Sequence, residues 1–235
     1  MEKRVVLITG GATRLARKIV IALVKNNYLV VVHYNKSKGE ASFLSNEIGD
    51  ECKIIQYDFF LHETREFFNR AVELFGRIDF IINAASIFMK HKVDEIDEEL
   101  LEKYNLVHSI TPLLLSTSLY EHLIARDKKG AIINITDASL KLPSKNRIPY
   151  FLSKESLSFQ TRLLASELSP TVRVNEIAPG LIMSSDKDES YFNKMKKINK
   201  MGLGDDCDII GSILYLLKAN YVTGETISID GGLFF

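Results

Sequence analysis

The stretch Val5-Val6-Leu7-Ile8-Thr9-Gly10-Gly11-Ala12-Thr13-Arg14-Leu15-Ala16-Arg17 decides how the rest of the chain is read. Four apolar residues of strand character lead into a glycine pair, and a helical run follows from Lys18 to Lys25. Glycines between a strand and a helix let backbone N–H groups approach a pyrophosphate, and the helix N-terminus adds partial positive charge there. An ordinary tight strand-to-helix turn would carry the same glycines. Gly10 and Arg14 are the residues of this turn that matter most, because Arg14 sets a permanent cation beside the candidate phosphates.

Working outward, strand-like runs recur at Arg4 to Ile8, Leu29 to His33, Lys53 to Tyr57, Ile78 to Ile82, Ala131 to Ile135, Thr171 to Ile177 and Thr226 to Ile229. Amphipathic segments of helical length separate them, the pattern of βαβ units. Near-continuous apolar strands suit a parallel sheet buried on both faces. Right-handed crossovers then predict an α/β fold: one doubly wound, seven-stranded parallel sheet flanked by helices, with its ligand crevice at the carboxyl ends of the strands.

The whole chain of 235 residues is consistent with this. Its 46% hydrophobic content excludes disorder, and 30 basic against 30 acidic residues argue against a broad basic face for nucleic acid or anionic membrane. Cys52 and Cys207 are too few for a disulfide framework or a thiolate metal site, and the histidines show no ligand spacing, so no metal is expected. The opening apolar run is too short for a signal h-region and no stretch reaches membrane-span length, which predicts a cytoplasmic protein. No linker divides the chain, so residues 1–235 are read as one domain. Ser184 to Gly204 is polar and lysine-rich, and is either a solvated helix and loop or a lid over the crevice.

Two later segments carry chemistry. The second strand ends His33-Tyr34-Asn35-Lys36-Ser37, with no carboxylate before Glu40 to hold a ribose 2′-hydroxyl. Asn35, Lys36 and Ser37 can instead donate to a 2′-phosphate, which favours NADP(H) over NAD. After the fifth strand, Asp137 precedes Tyr150, and Lys154 follows Tyr150 by four residues on one helical face. An ammonium near a phenol stabilises phenolate, so the spacing predicts a tyrosine whose pKa falls from about 10 towards neutrality.

Together these residues resemble the short-chain dehydrogenase/reductase family. The ordered motifs are Thr9-Gly10, Asn83-Ala84-Ala85, Asn105, Tyr150-x-x-x-Lys154, Val172-Arg173-Val174-Asn175, Pro179-Gly180 and Ile229-Asp230-Gly231-Gly232, spanning nearly the whole chain. The resemblance implies a Rossmann-type domain and an oxidoreductase with Tyr150, Lys154 and Asn105 in its proton path. It also implies cofactor contacts from Gly10, Asn83, Ala84, Ala85, Tyr150, Lys154, Pro179 and Gly180, with Asp58 against the adenine. Ala84 replaces a second asparagine and Ala16 a glycine of the usual pattern.

Most members carry serine thirteen residues before the tyrosine, where 150 − 13 gives Asp137 here. The change marks either a damaged site or chemistry that needs a carboxyl group. The pteridine reductase and dihydromonapterin reductase branch has an aspartate there, and Arg14-Leu15, His33-Tyr34-x-Lys36-Ser37 and Ser86-x-Phe88 also resemble it. That likeness implies a dihydropterin or dihydrofolate substrate touched by Arg14, Ser86, Phe88, Asp137 and Tyr150, with the ring stacked on Phe88. A carboxylic acid suits reduction of a C=N bond, whose nitrogen must gain a proton. An NADPH-dependent carbonyl reductase, such as one acting on 3-oxoacyl thioesters, is the alternative, and a non-catalytic dinucleotide sensor is a second. Related enzymes pair their fourth and fifth helices between subunits, which implies a homotetramer to which Leu233-Phe234-Phe235 would add apolar surface.

Overall fold

Alternation along the first strand explains the layering. In β1 (Val5–Thr9), Val6 and Ile8 face one layer of the core and Val5 and Leu7 the other, and all four are buried. A strand covered on both sides has no polar face to keep, so its run is apolar throughout. The computed structural model describes residues 2–182, 193, 198, 199 and 201–233.

The remaining strands are β2 (Leu29–Tyr34), β3 (Cys52–Gln56), β4 (Phe80–Asn83), β5 (Gly130–Ile135), β6 (Val172–Pro179) and β7 (Thr226–Ile229). All pair in parallel, in the order β3-β2-β1-β4-β5-β6-β7. The helices are α1 (Arg14–Lys25), α2 (Lys38–Ile48), α3 (Thr64–Phe75), α4 (Glu98–Asn105), α5 (Thr111–Ile124), α6 (Ile148–Glu167) and α7 (Asp206–Lys218). On one face of the sheet Ile19, Val20 and Leu23 of α1, Leu44 of α2 and Ile213 of α7 close the core; on the other, Phe67 of α3, Leu119 of α5 and Leu164 of α6 do so. The expected doubly wound, seven-stranded parallel sheet is present.

Strand order reverses between β1 and β4, and the loops leaving those two strands diverge to opposite faces and open a crevice. Thr9 draws the two strand ends together, its hydroxyl oxygen accepting from the Ala84 and Ala85 N–H groups at 3.0 and 3.1 Å. Between β4 and β5, α4 and α5 are joined by a π-helical stretch, Leu106–Ile110. Most of the Ser184 to Gly204 segment, with Phe234 and Phe235, lies outside the described residues. Among the described residues no helix is long and apolar enough to cross a membrane.

Candidate active site

A cleft of about 640 Å³ opens along the carboxyl ends of the strands at the reversal point. One half is built from the turn between β1 and α1. Gly10 holds φ at +65°, and a Cβ on it would lie 2.8 Å from the Ala85 Cα, so glycine is needed where the two loops touch. The Gly10 N–H donates to Nδ1 of His33 at 3.2 Å, while Nε2 of His33 faces the Tyr57 carbonyl at 3.1 Å. That pairing places the ring proton on Nε2. Burial pushes the His33 pKa down to about 4, so the ring is a neutral strut between β2 and the turn.

Arg14, Leu15, Tyr34, Asn35, Lys36 and Ser37 line this half, and Gly180 closes its far side, where it approaches Asp230 closely. Among the described lining residues the cations are Arg14, Lys36 and Arg147, and the sole carboxylate is Asp137, in the other half. A cradle with a glycine turn, a helix N-terminus, two cations and no acid fits a dinucleotide bearing a 2′-phosphate. Four expected contacts lie outside the lining: Asp58, Asn83, Pro179 at the end of β6, and Lys154, which is buried beneath the second half. Asp58 binds its own turn through the Phe60 N–H at 3.0 Å, and Phe59 and Phe60 reach the cleft instead. Asn83 is buried in the sheet, donating to Asn134 at 2.8 Å.

The second half is built on β5 and α6. Where β5 ends, Asp137 caps the short turn Ala138–Lys141, its Oδ1 accepting from the Ser139 N–H at 2.8 Å and also from the Ser139 hydroxyl. Pro149 in the first turn of α6 starts that helix, and its inward stripe includes Tyr150, Lys154, Leu157 and Thr161. The Tyr150 hydroxyl donates to Oδ2 of Asp137 at 2.7 Å. Lys154, buried beneath, donates from Nζ to the Ile135 carbonyl at 2.6 Å.

This geometry corrects the expectation for Tyr150. Burial, and after it the adjacent Asp137 carboxylate, push the phenol well above its ordinary 10, because both penalise phenolate more than the nearby Arg147 guanidinium helps it. Tyr150 is therefore a neutral donor near pH 7. Burial also lowers Lys154, to about 8, against the opposing pull of Asp137 and Glu176.

Asn105 is exposed at the end of α4 and does not line the cleft. The residue that the π-helical stretch turns inward is His108, which the sequence marked only as lacking metal spacing. Nε2 of His108 accepts from the Ile87 N–H at 2.9 Å, Nδ1 meets the Ser153 hydroxyl at 2.8 Å, and the ring packs edgewise on Tyr150. Burial and the charge of Lys154 hold its pKa well below 6.5, so it too is neutral. Its bond to Ile87 pins the segment that carries Ser86 and Phe88 into the cleft.

Arg147 was also missed, although it lies one helical turn before Tyr150. Its guanidinium sits 3.8 Å from the centre of the Phe88 ring, and Tyr150 meets that ring edgewise at 4.8 Å. A flat molecule stacking on Phe88 must take the face opposite Arg147 or displace it. The half-site thus offers a carboxylate, a phenol donor and an aromatic ring beside the candidate dinucleotide cradle, the components of a hydride-transfer site with proton supply.

The family model for short chain dehydrogenase matches residues 4–196. The chain belongs to the short-chain dehydrogenase family. Similar curated relatives of this short-chain dehydrogenase include a 3-oxoacyl-[acyl-carrier-protein] reductase from Staphylococcus epidermidis, 30% identical over 97% of this chain and 98% of the relative. They also include a dihydromonapterin reductase from Enterobacter sp., 32% identical over 98% and 96%. Among solved structures, an alternative dihydrofolate reductase 1 (FolM) from Brucella suis in complex with NADP superposes with a TM-score of 0.91 at 30% identity, covering 98% of this chain and 95% of that one.

Proposed function

We propose that the chain is an NADPH-dependent reductase of dihydropterins or dihydrofolate, acting as one domain over residues 1–235. The observation that carries this reading is the 2.7 Å bond from Tyr150 to the Asp137 carboxylate inside the cleft. A carboxyl group beside the reacting centre suits a C=N bond, where the nitrogen gains a proton, better than a C=O bond, where negative charge grows on oxygen. The names of the dihydromonapterin reductase and dihydrofolate reductase relatives agree with it.

Arg14, Lys36 and Ser37 bind the phosphates, and Gly10 lets the turn approach them. When bound, the reduced nicotinamide supplies hydride to the carbon of the C=N bond. Asp137 orients the amidine-like edge of the substrate and relays to the ring nitrogen the one proton it takes from the Tyr150 hydroxyl along the bond to Oδ2. Solvent then returns a proton to Tyr150, so one proton is taken up per turnover and the phenol is neutral again before the next. Lys154 provides a fixed positive charge below the pair, Phe88 offers one face to the ring, and Ser86 borders it. Asn105, exposed at the end of α4, is left out of this path, and His108 supports Tyr150 from behind.

Loss of NADPH consumption with a dihydropterin in both Asp137→Ala and Tyr150→Phe, by about 100-fold or more, tests these roles; wild-type turnover in both rejects them. The similarity to 3-oxoacyl-[acyl-carrier-protein] reductases favours carbonyl reduction as a second reading. We also propose association of identical chains through the outer faces of α5 and α6, where Leu113, Leu152, Phe159 and Leu163 are exposed.

A further inference from the structure

Beneath the cleft, β6 carries a buried carboxylate that the proposed chemistry leaves unused. Glu176 is 1% exposed, and its oxygens accept hydroxyls from three elements. Thr136, just after β5, donates to Oε1; Ser158 of α6 donates to Oε2 at 2.8 Å, and Thr226 of β7 to the same atom at 3.2 Å. Thr136 stands between Ile135, which accepts from Lys154, and Asp137, which accepts from Tyr150. Ser158 lies one helical turn beyond Lys154 on the same face. Three consecutive residues thereby join Lys154, Glu176 and Tyr150 in one buried network.

A carboxylate in the interior must be protonated or matched by a cation, because burying an unpaired charge is costly. Three hydroxyl donors satisfy its lone pairs but bring no charge. The cation in electrostatic reach is Lys154. We propose that Glu176 is a positioning residue, an ionised carboxylate that holds Lys154 in place and in its charged form from the interior side of the site. The groups facing Lys154 are Asp137 and Glu176, which favour its charge, and His108 and Tyr150, which are neutral near pH 7. Asp137 already accepts from Tyr150 and Ser139, so Glu176 is the carboxylate with no duty to the substrate.

The inference rests on the reading of Lys154 as the cation of the proton path, yet its test needs no substrate. Titration of the Lys154 ammonium by NMR of the lysine-labelled chain, assigned with Lys154→Met, should give a midpoint near 8 in the wild type. Glu176→Gln should lower it by about one unit or more; an unchanged midpoint in a folded variant overturns the proposal. Should Glu176→Gln not fold, the unmodified chain still decides the matter. With carboxyl-labelled glutamate, every glutamate should be ionised at about pH 7, and one that remains protonated there overturns it. The expected shift in Glu176→Gln, together with no turnover of any dihydropterin by the unmodified chain, would leave this inference standing and reject the substrate reading alone.

Discussion

In the proposed arrangement, Lys36 is the side chain that sets cofactor choice. It lines the cradle at the end of β2, where no carboxylate of the described lining competes for a ribose hydroxyl. Lys36→Ala should weaken NADPH binding by about tenfold or more, the worth of a charge-assisted hydrogen bond, and leave NADH binding unchanged. Equal weakening of both, measured by fluorescence titration, would place Lys36 outside the 2′-phosphate site. Such residues were legible because their chemistry follows from spacing along one short segment. Asp137, Tyr150 and Lys154 were legible in the same way, but the ionisation of Tyr150 was not. Its pKa depends on burial and on the orientation of Asp137, neither of which spacing records.

At the scale of the elements, the β1–α1 turn is constrained by its close approach to the loop after β4. Gly10→Ala would set a Cβ 2.8 Å from the Ala85 backbone in a left-handed conformation that costs about 1–2 kcal/mol even without the contact. The variant should show a lower denaturation midpoint and lose NADPH binding; an unchanged midpoint with normal binding would contradict the close approach of the two loops. The seven strands were readable because burial on both faces leaves an apolar run with few alternatives. Which residue faces inward after β4 was not legible, for a local reason. The π-helical stretch at Leu106–Ile110 adds a residue to one turn and rotates the inward face, so that Asn105 meets solvent and His108 meets Tyr150. No periodicity of 3.6 signals such a shift.

At the scale of the molecule, balanced charge conceals a basic cleft, since Arg14, Lys36 and Arg147 line it against Asp137 alone among the described residues. Two neutral imidazoles in the interior make stability depend on acid. His33 and His108 have folded pKa values below their unfolded value, so the unfolded chain binds more protons once pH falls below about 6.5. Stability should be full above that value and decline towards pH 4, with His33 alone contributing a loss on the order of 3 kcal/mol. Denaturant unfolding at a series of pH values checks this, and a flat profile from 7.5 to 4.5 would contradict burial of neutral rings. The association proposed through α5 and α6 predicts a tetramer, for which light scattering at micromolar concentration should return four times the chain mass; a sharp monomer mass would contradict it. The central question is which double bond receives the hydride, and NADPH oxidation by the purified chain answers it when dihydromonapterin, dihydrobiopterin, dihydrofolate and an acetoacetyl thioester are compared under one set of conditions. Oxidation with at least one dihydropterin or dihydrofolate, abolished by Asp137→Ala and absent with the thioester, is expected; oxidation with the thioester and with none of the others would contradict a C=N reductase.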